Sequence, residues 1–123
     1  MERHQEGEVS EFHDAPSLAQ LVEAVREWLE RDVMTGTSGR LQFHTRVAIN
    51  VLSTVERELA LGPDQQIDHQ SRLDDLGVSD DAQLAAAIRT GDLDHRLDDV
   101  IDTVRASVIA KLRVANPGYF DAE

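Results

Sequence analysis

Two groups of residues carry the types and spacings that could do chemistry. In "DLDHRLDDVID", the acids Asp92, Asp94, Asp98, Asp99 and Asp102 crowd around His95. On a helix, His95 with Asp99 and Asp94 with Asp98 stand four residues apart, so each pair could face one ligand as a carboxylate–imidazole metal site. No Glu-x-x-His repeat on a second helix completes the pattern of the di-metal bundles. The competing explanation is that acids gather where a helix begins, because the macrodipole favours them there, and the rest form a wet face.

The second group lies in "GRLQFHTRVAINVLSTVEREL". Arg46, Asn50, Ser53 and Arg57 recur at spacings of four, three and four and share one helical face. Arg40 and His44 share a neighbouring one. On a central helix such a row either pairs with acids, Glu56 and Glu58 among them, or faces a partner, because an unpaired buried charge is costly.

Other chemistries find no support. There is no cysteine, so disulfides and thiolate metal sites are excluded. "TGTSGR" lacks the Gly-x-Ser-x-Gly frame of a nucleophile elbow, and no phosphate loop with Gly-Lys-Ser/Thr occurs. The glycine loop Gly36–Gly39 before a helix, with Arg40, is a weak anion seat at most. The expectation is a protein without catalytic residues, metal or cofactor.

The elements that must position these residues are helical throughout. A polar, aperiodic stretch, residues 1–14, reads as a disordered lead-in. Asp14 or Ser17 can cap a first helix, with Pro16 tolerated in its first turn. Its stripe is Leu18, Leu21, Val22, Val25, Trp28 and Leu29, and it runs to about Val33. "TGTSG" is a loop. The second helix runs from about residue 40 to Leu61, where Gly62 and Pro63 stop it, with a core stripe of Leu41, His44 or Val47, Ala48, Leu52, Val55 and Leu59. A shorter helix follows over about 64–76, closed by Gly77. Ser79 with Gln83 starts the next, which ends at Gly91. The last, about Leu93 to Val114, carries Leu97, Ile101, Val104, Val108 and Leu112, and "NPGYF" ends it. This predicts an all-α, single-domain bundle of four to five helices over residues 15–120.

Twelve basic residues against 24 acidic ones give a net charge of −12. Such a surface disfavours nucleic acid and anionic membranes. Eleven of the twelve are arginine and only Lys111 is lysine, a bias that GC-rich coding explains at least as well as guanidinium chemistry. No apolar run is long enough to cross a bilayer, and "MERHQEGEVSEFHD" lacks a signal-peptide core. The expected location is the cytoplasm.

With "VREWLERDV" closing its first helix, the chain resembles a family of small bacterial helical proteins of unknown function. The resemblance rests on Arg-x-x-Phe-His-x-Arg-Val-Ala-x-Asn (Arg40 to Asn50), Glu56-Arg57-Glu58-Leu59, "AIRTGDLD" and "KLRVANPGYF". It covers about residues 15–120 and is weakest over 64–80. It implies an accessory role, since genes of the family stand beside acyl-CoA dehydrogenases and aminoglycoside-phosphotransferase-type kinases. The implied partner is such a kinase, one that phosphorylates 4-hydroxyacyl-CoA. In that case Arg40, His44, Arg46, Asn50 and Arg57, with Asn116, Tyr119 and Phe120 of the tail, would contact it. Tyr119 and Phe120 would be anchors, and Arg46 and Arg57 paired charges. A module that holds an acyl or CoA group against Arg40, His44 and Arg46, and a homodimer formed by the long helices, are the alternatives.

Overall fold

A computed structural model describes residues 15–121. The lead-in expected over 1–14, with Asp14, lies outside them. The described chain is all-α. Helix α1 is Leu18–Trp28, α2 is Gly39–Asp75, α3 is Asp81–Thr90 and α4 is Leu97–Ala115. The chain divides into two compact units, Met1–Pro63 and Asp64–Glu123.

In the first unit Ser17 caps α1. Its hydroxyl accepts from the Gln20 amide, and the Gln20 side chain accepts the Ser17 amide in return, a closed capping box. Past Trp28 the helix widens into a π turn, Leu29–Val33, and one more turn, Met34–Gly36. The loop is therefore shorter than "TGTSG" suggested. Gln42 closes it by donating to the Met34 and Thr37 carbonyls, both at 3.0 Å. Gly39 takes φ +61° as α2 begins.

The face that α2 packs overlaps the expected stripe only in part: Ala48, Leu52 and Leu59 are half-buried on it as expected. Thr45 is the buried residue, and Leu41, His44, Val47 and Val55 are exposed. Thr45 can be buried because its hydroxyl donates to the Leu41 carbonyl at 2.8 Å and needs no other partner. On the same face Glu56 meets Arg26 of α1 through two contacts, 2.5 Å from Nε and 3.3 Å from Nη2. The packed face thus follows a hydroxyl and an ion pair, which hydrophobic periodicity cannot register.

A second correction concerns Gly62 and Pro63. They do not end the helix; α2 continues for 37 residues with Pro63 inside it. Proline removes one amide donor, at a cost of about 3 kcal/mol. Extending an existing helix avoids the larger cost of nucleating another. What the proline does mark is the boundary between the two compact units.

The second unit holds the aliphatic core: Leu73 and Leu76 from the end of α2, Leu84 from α3, Leu93, and Val100 from α4, with Val78 and Ala87 packed against them. Leu73 is 2% exposed. At the end of α2 the Val78 amide donates back to Leu73 and the Gly77 amide to Asp74. Gly77 sits at φ +80°, which completes a Schellman close. Arg96 donates to the Asp75 carbonyl at 2.7 Å, a cation on a helix C-terminus. The cap of α3 is Asp80, one residue later than expected, and it accepts from the Gln83 amide at 2.9 Å. Gly91 ends α3 at φ +85° as its sequence position predicts. The last helix starts later than Leu93, because Asp94–Arg96 form a 3-10 turn first. Here too the buried residues, Val100 and Thr103, lie beside the expected stripe and not on it. Pro117–Asp121 close the chain as another 3-10 turn.

Candidate functional site

Four faces present functional groups to solvent. On α1, Leu18, Leu21, Val25 and Trp28 follow one another on successive turns. All four are exposed, Trp28 by 49%. Val22 and Leu29, one step round the helix, are half-buried. The stripe that periodicity assigned to the core is split lengthwise, and its outer half faces water.

On the first half of α2, Arg40, His44, Val47, Val51 and Val55 recur at spacings of three and four and are all exposed. Arg40 and His44 touch, with Nε 3.4 Å from Nε2. Further round the helix stand Phe43, Arg46 and Asn50, also exposed, and then Ser53 and Arg57, half-buried. Arg57 donates to the Thr54 hydroxyl at 3.1 Å. Glu56 is taken by Arg26 of α1, so it is not available to the row. Arg46 makes no ion pair among the described residues. The outer part of the polar row, Arg46 and Asn50, faces solvent, and its inner part, Ser53 and Arg57, is half-buried. The Arg26 guanidinium is held further toward its charged form by the Glu56 hydrogen bond, which outweighs the opposing effect of desolvation.

The third face belongs to the second unit. Leu97, Ile101, Val104 and Val108 form an exposed stripe along α4. The tail folds beside it. Asn116 leaves the helix at φ −153°, and the Tyr119 amide returns to its carbonyl at 3.0 Å. Tyr119 and Phe120 meet edge to face, 5.6 Å apart, and Arg113 covers the Phe120 ring at 4.8 Å. Tyr119 and Phe120 wall a groove of about 500 Å³ floored by Ile101, Val104, Val108 and Leu112.

The fourth feature is one that sequence reasoning missed. His69, near the end of α2, places Nε2 2.7 Å from Asp81 Oδ1 at the start of α3. The pair rims a cavity of about 350 Å³ whose other walls include Leu84, Ile88, Thr103, Ser107 and Lys111. The four-residue spacing of Thr103, Ser107 and Lys111 was legible. The approach of His69 and Asp81 depends on the turn at Gly77 and was not.

The acidic cluster around His95 does not converge. Asp99 accepts from Arg96 at 3.1 Å, Asp102 lies beside Arg105, and His95 is exposed. Among the described residues no three His, Asp or Glu side chains come close enough to hold a metal ion.

These features define an all-helical protein whose described surface offers apolar stripes flanked by arginine. No described helix is long and apolar enough to cross a membrane. Residues 35–119 match the family described as a domain of unknown function, DUF6285, and the chain belongs to it. No curated protein matches it, and no solved structure does.

Proposed function

We propose that this protein is a non-catalytic binding subunit that covers its exposed apolar stripes against a protein partner in the cytoplasm. One observation carries the reading. The described part of the first unit has no buried hydrophobic side chain, while Leu18, Leu21, Val25 and Trp28 on α1 and Val47, Val51 and Val55 on α2 remain exposed on successive turns. Contiguous apolar surface of this kind, rimmed by polar groups, marks interaction sites. Trp28, Phe43, Arg40 and Arg46 are of the types that dominate interface energies. The resemblance of the Arg40–Asn50 and Lys111–Phe120 segments to the small helical family whose genes stand beside such enzymes supports the choice of partner: a phosphotransferase-type kinase that acts on hydroxyacyl-CoA.

The test is co-expression of the tagged chain with such a kinase, followed by gel filtration and an ATP-dependent assay on 4-hydroxyacyl-CoA. Co-elution and a rise in turnover are expected. Val47→Asp with Val51→Asp should abolish both and leave far-ultraviolet circular dichroism unchanged, because both side chains are exposed. A chain that elutes apart from the kinase and leaves its turnover unchanged overturns the kinase reading. Sedimentation of the chain alone as a dimer would assign the stripes to a second copy instead.

A further inference from the structure

We propose that the cavity in the second unit, between the end of α2, α3 and α4, binds a small organic monoanion: a carboxylate with a short aliphatic body. The inference stands apart from the binding-subunit reading and uses none of the α1 and α2 side chains that carry it.

The polar wall is a row on α4. Thr103, Ser107 and Lys111 are four residues apart, so two hydroxyls and an ammonium line up on one face, all bordering the cavity. Helical serine and threonine commonly satisfy their hydroxyl on the carbonyl four residues back. This protein does so elsewhere: Thr45 donates to Leu41, and Thr54 to Asn50. Neither Thr103 nor Ser107 makes a side-chain hydrogen bond among the described residues, although Thr103 is 5% exposed. Lys111 makes no ion pair among them either, in a chain with twice as many acidic as basic side chains. Two hydroxyls without a partner among the described residues and one exposed ammonium thus border one space.

The remaining walls set the class of ligand. Leu84, Ile88, Val104 and Val108 supply an aliphatic surface, which suits a hydrocarbon body. The acidic group on the rim is Asp81, whose carboxylate meets His69 Nε2. Lys111 can neutralise one carboxylate, which also takes the two hydroxyls and can keep its distance from Asp81, whereas a dianion would bring a second charge beside that acid. A volume of about 350 Å³ is at the small end of ligand sites, which fits a short chain and not a whole cofactor.

The test is a ¹H–¹⁵N correlation spectrum of the full chain titrated with hexanoate, with hexanol and inorganic phosphate as separate arms. Hexanoate should give saturable shifts confined to amides of residues 84–88 and 103–111, with Kd on the order of 1 mM. Lys111→Met should weaken it by about tenfold, Lys111→Arg should retain it, and Thr103→Val with Ser107→Ala should weaken it further. The spectrum of each variant reports its fold directly. Absence of saturation, shifts centred elsewhere, or an unchanged Kd in Lys111→Met overturns the site. Equal shifts with hexanol overturn the anion requirement, and equal shifts with phosphate overturn the aliphatic one.

Discussion

The Arg26–Glu56 pair allows a prediction whose magnitude and order both follow from geometry. The guanidinium meets the carboxylate at two points, 2.5 and 3.3 Å, and the side chains are only 20% and 24% exposed. Removing one partner of a fully buried pair costs about 3–5 kcal/mol, and an exposed pair is worth about 0–1 kcal/mol. This pair lies between those limits, at about 2 kcal/mol. The two truncations differ, however. Glu56→Ala leaves Arg26 with Glu30, 2.9 Å from Nη1, so about 1 kcal/mol should be lost. Arg26→Ala strips Glu56 and Glu30 at once and leaves a half-buried carboxylate without its cation, so about 2 kcal/mol should be lost. Urea unfolding followed by the emission of Trp28, two residues from Arg26, reads the unit concerned. A double-mutant cycle should give a coupling of about 1 kcal/mol or more. Equal costs for the two truncations, or a coupling below about 0.3 kcal/mol, would refute the assignment. Because the Arg26 pKa is raised, its contribution is complete below the unfolded value and is lost only as pH rises through the folded one. That window is strongly alkaline, so Arg26 should add no pH dependence near neutrality.

Leu73→Ala removes the most buried side chain of the core and should cost about 2–5 kcal/mol by thermal or urea unfolding; a loss below about 1 kcal/mol would mean that the core cluster does not hold the second unit together. Gly91→Ala should lower stability by about 1–2 kcal/mol, since φ is +85° and a Cβ would lie 3.1 Å from Asp94 Oδ2. Gly36→Ala, with nothing within 4 Å of the added carbon, serves as its control and should cost nothing measurable. Pro63→Ala should raise stability by about 1–3 kcal/mol, because it restores a donor inside α2. Destabilisation by that change, measured by urea unfolding, would show that the proline relieves a strain elsewhere.

Residue types and their periods made the all-α class and the Gly77 and Gly91 stops legible, because local steric rules decide them. The continuation of α2 past Pro63 was not legible, since it depends on the burial of Leu73 and Leu76 ten and more residues downstream. The packed faces of α2 and α4 were placed only in part, for a related reason. Thr45, Glu56 and Thr103 are polar, and only an in-helix hydrogen bond, an ion pair or a cavity explains their burial. Arg40, His44, Arg46 and Asn50 were correctly placed on faces of one helix. That His44 stands with the valines, and that Glu56 belongs to Arg26, could be read only once α1 was beside them. The His69–Asp81 pair lies beyond any spacing rule, because a turn and not a helix brings the two together.

That Lys111 is the only lysine has a practical consequence. Apart from the α-amino group, amine-directed reagents address this protein at a single side chain, and that side chain borders a cavity. A photoreactive group attached there would be a probe at one known place, and capture of the protein on an amine-coupled sensor would orient it by α4. Acetylation of that one residue, which removes its charge, would change the chemistry of the cavity while leaving every arginine on the other faces as it was.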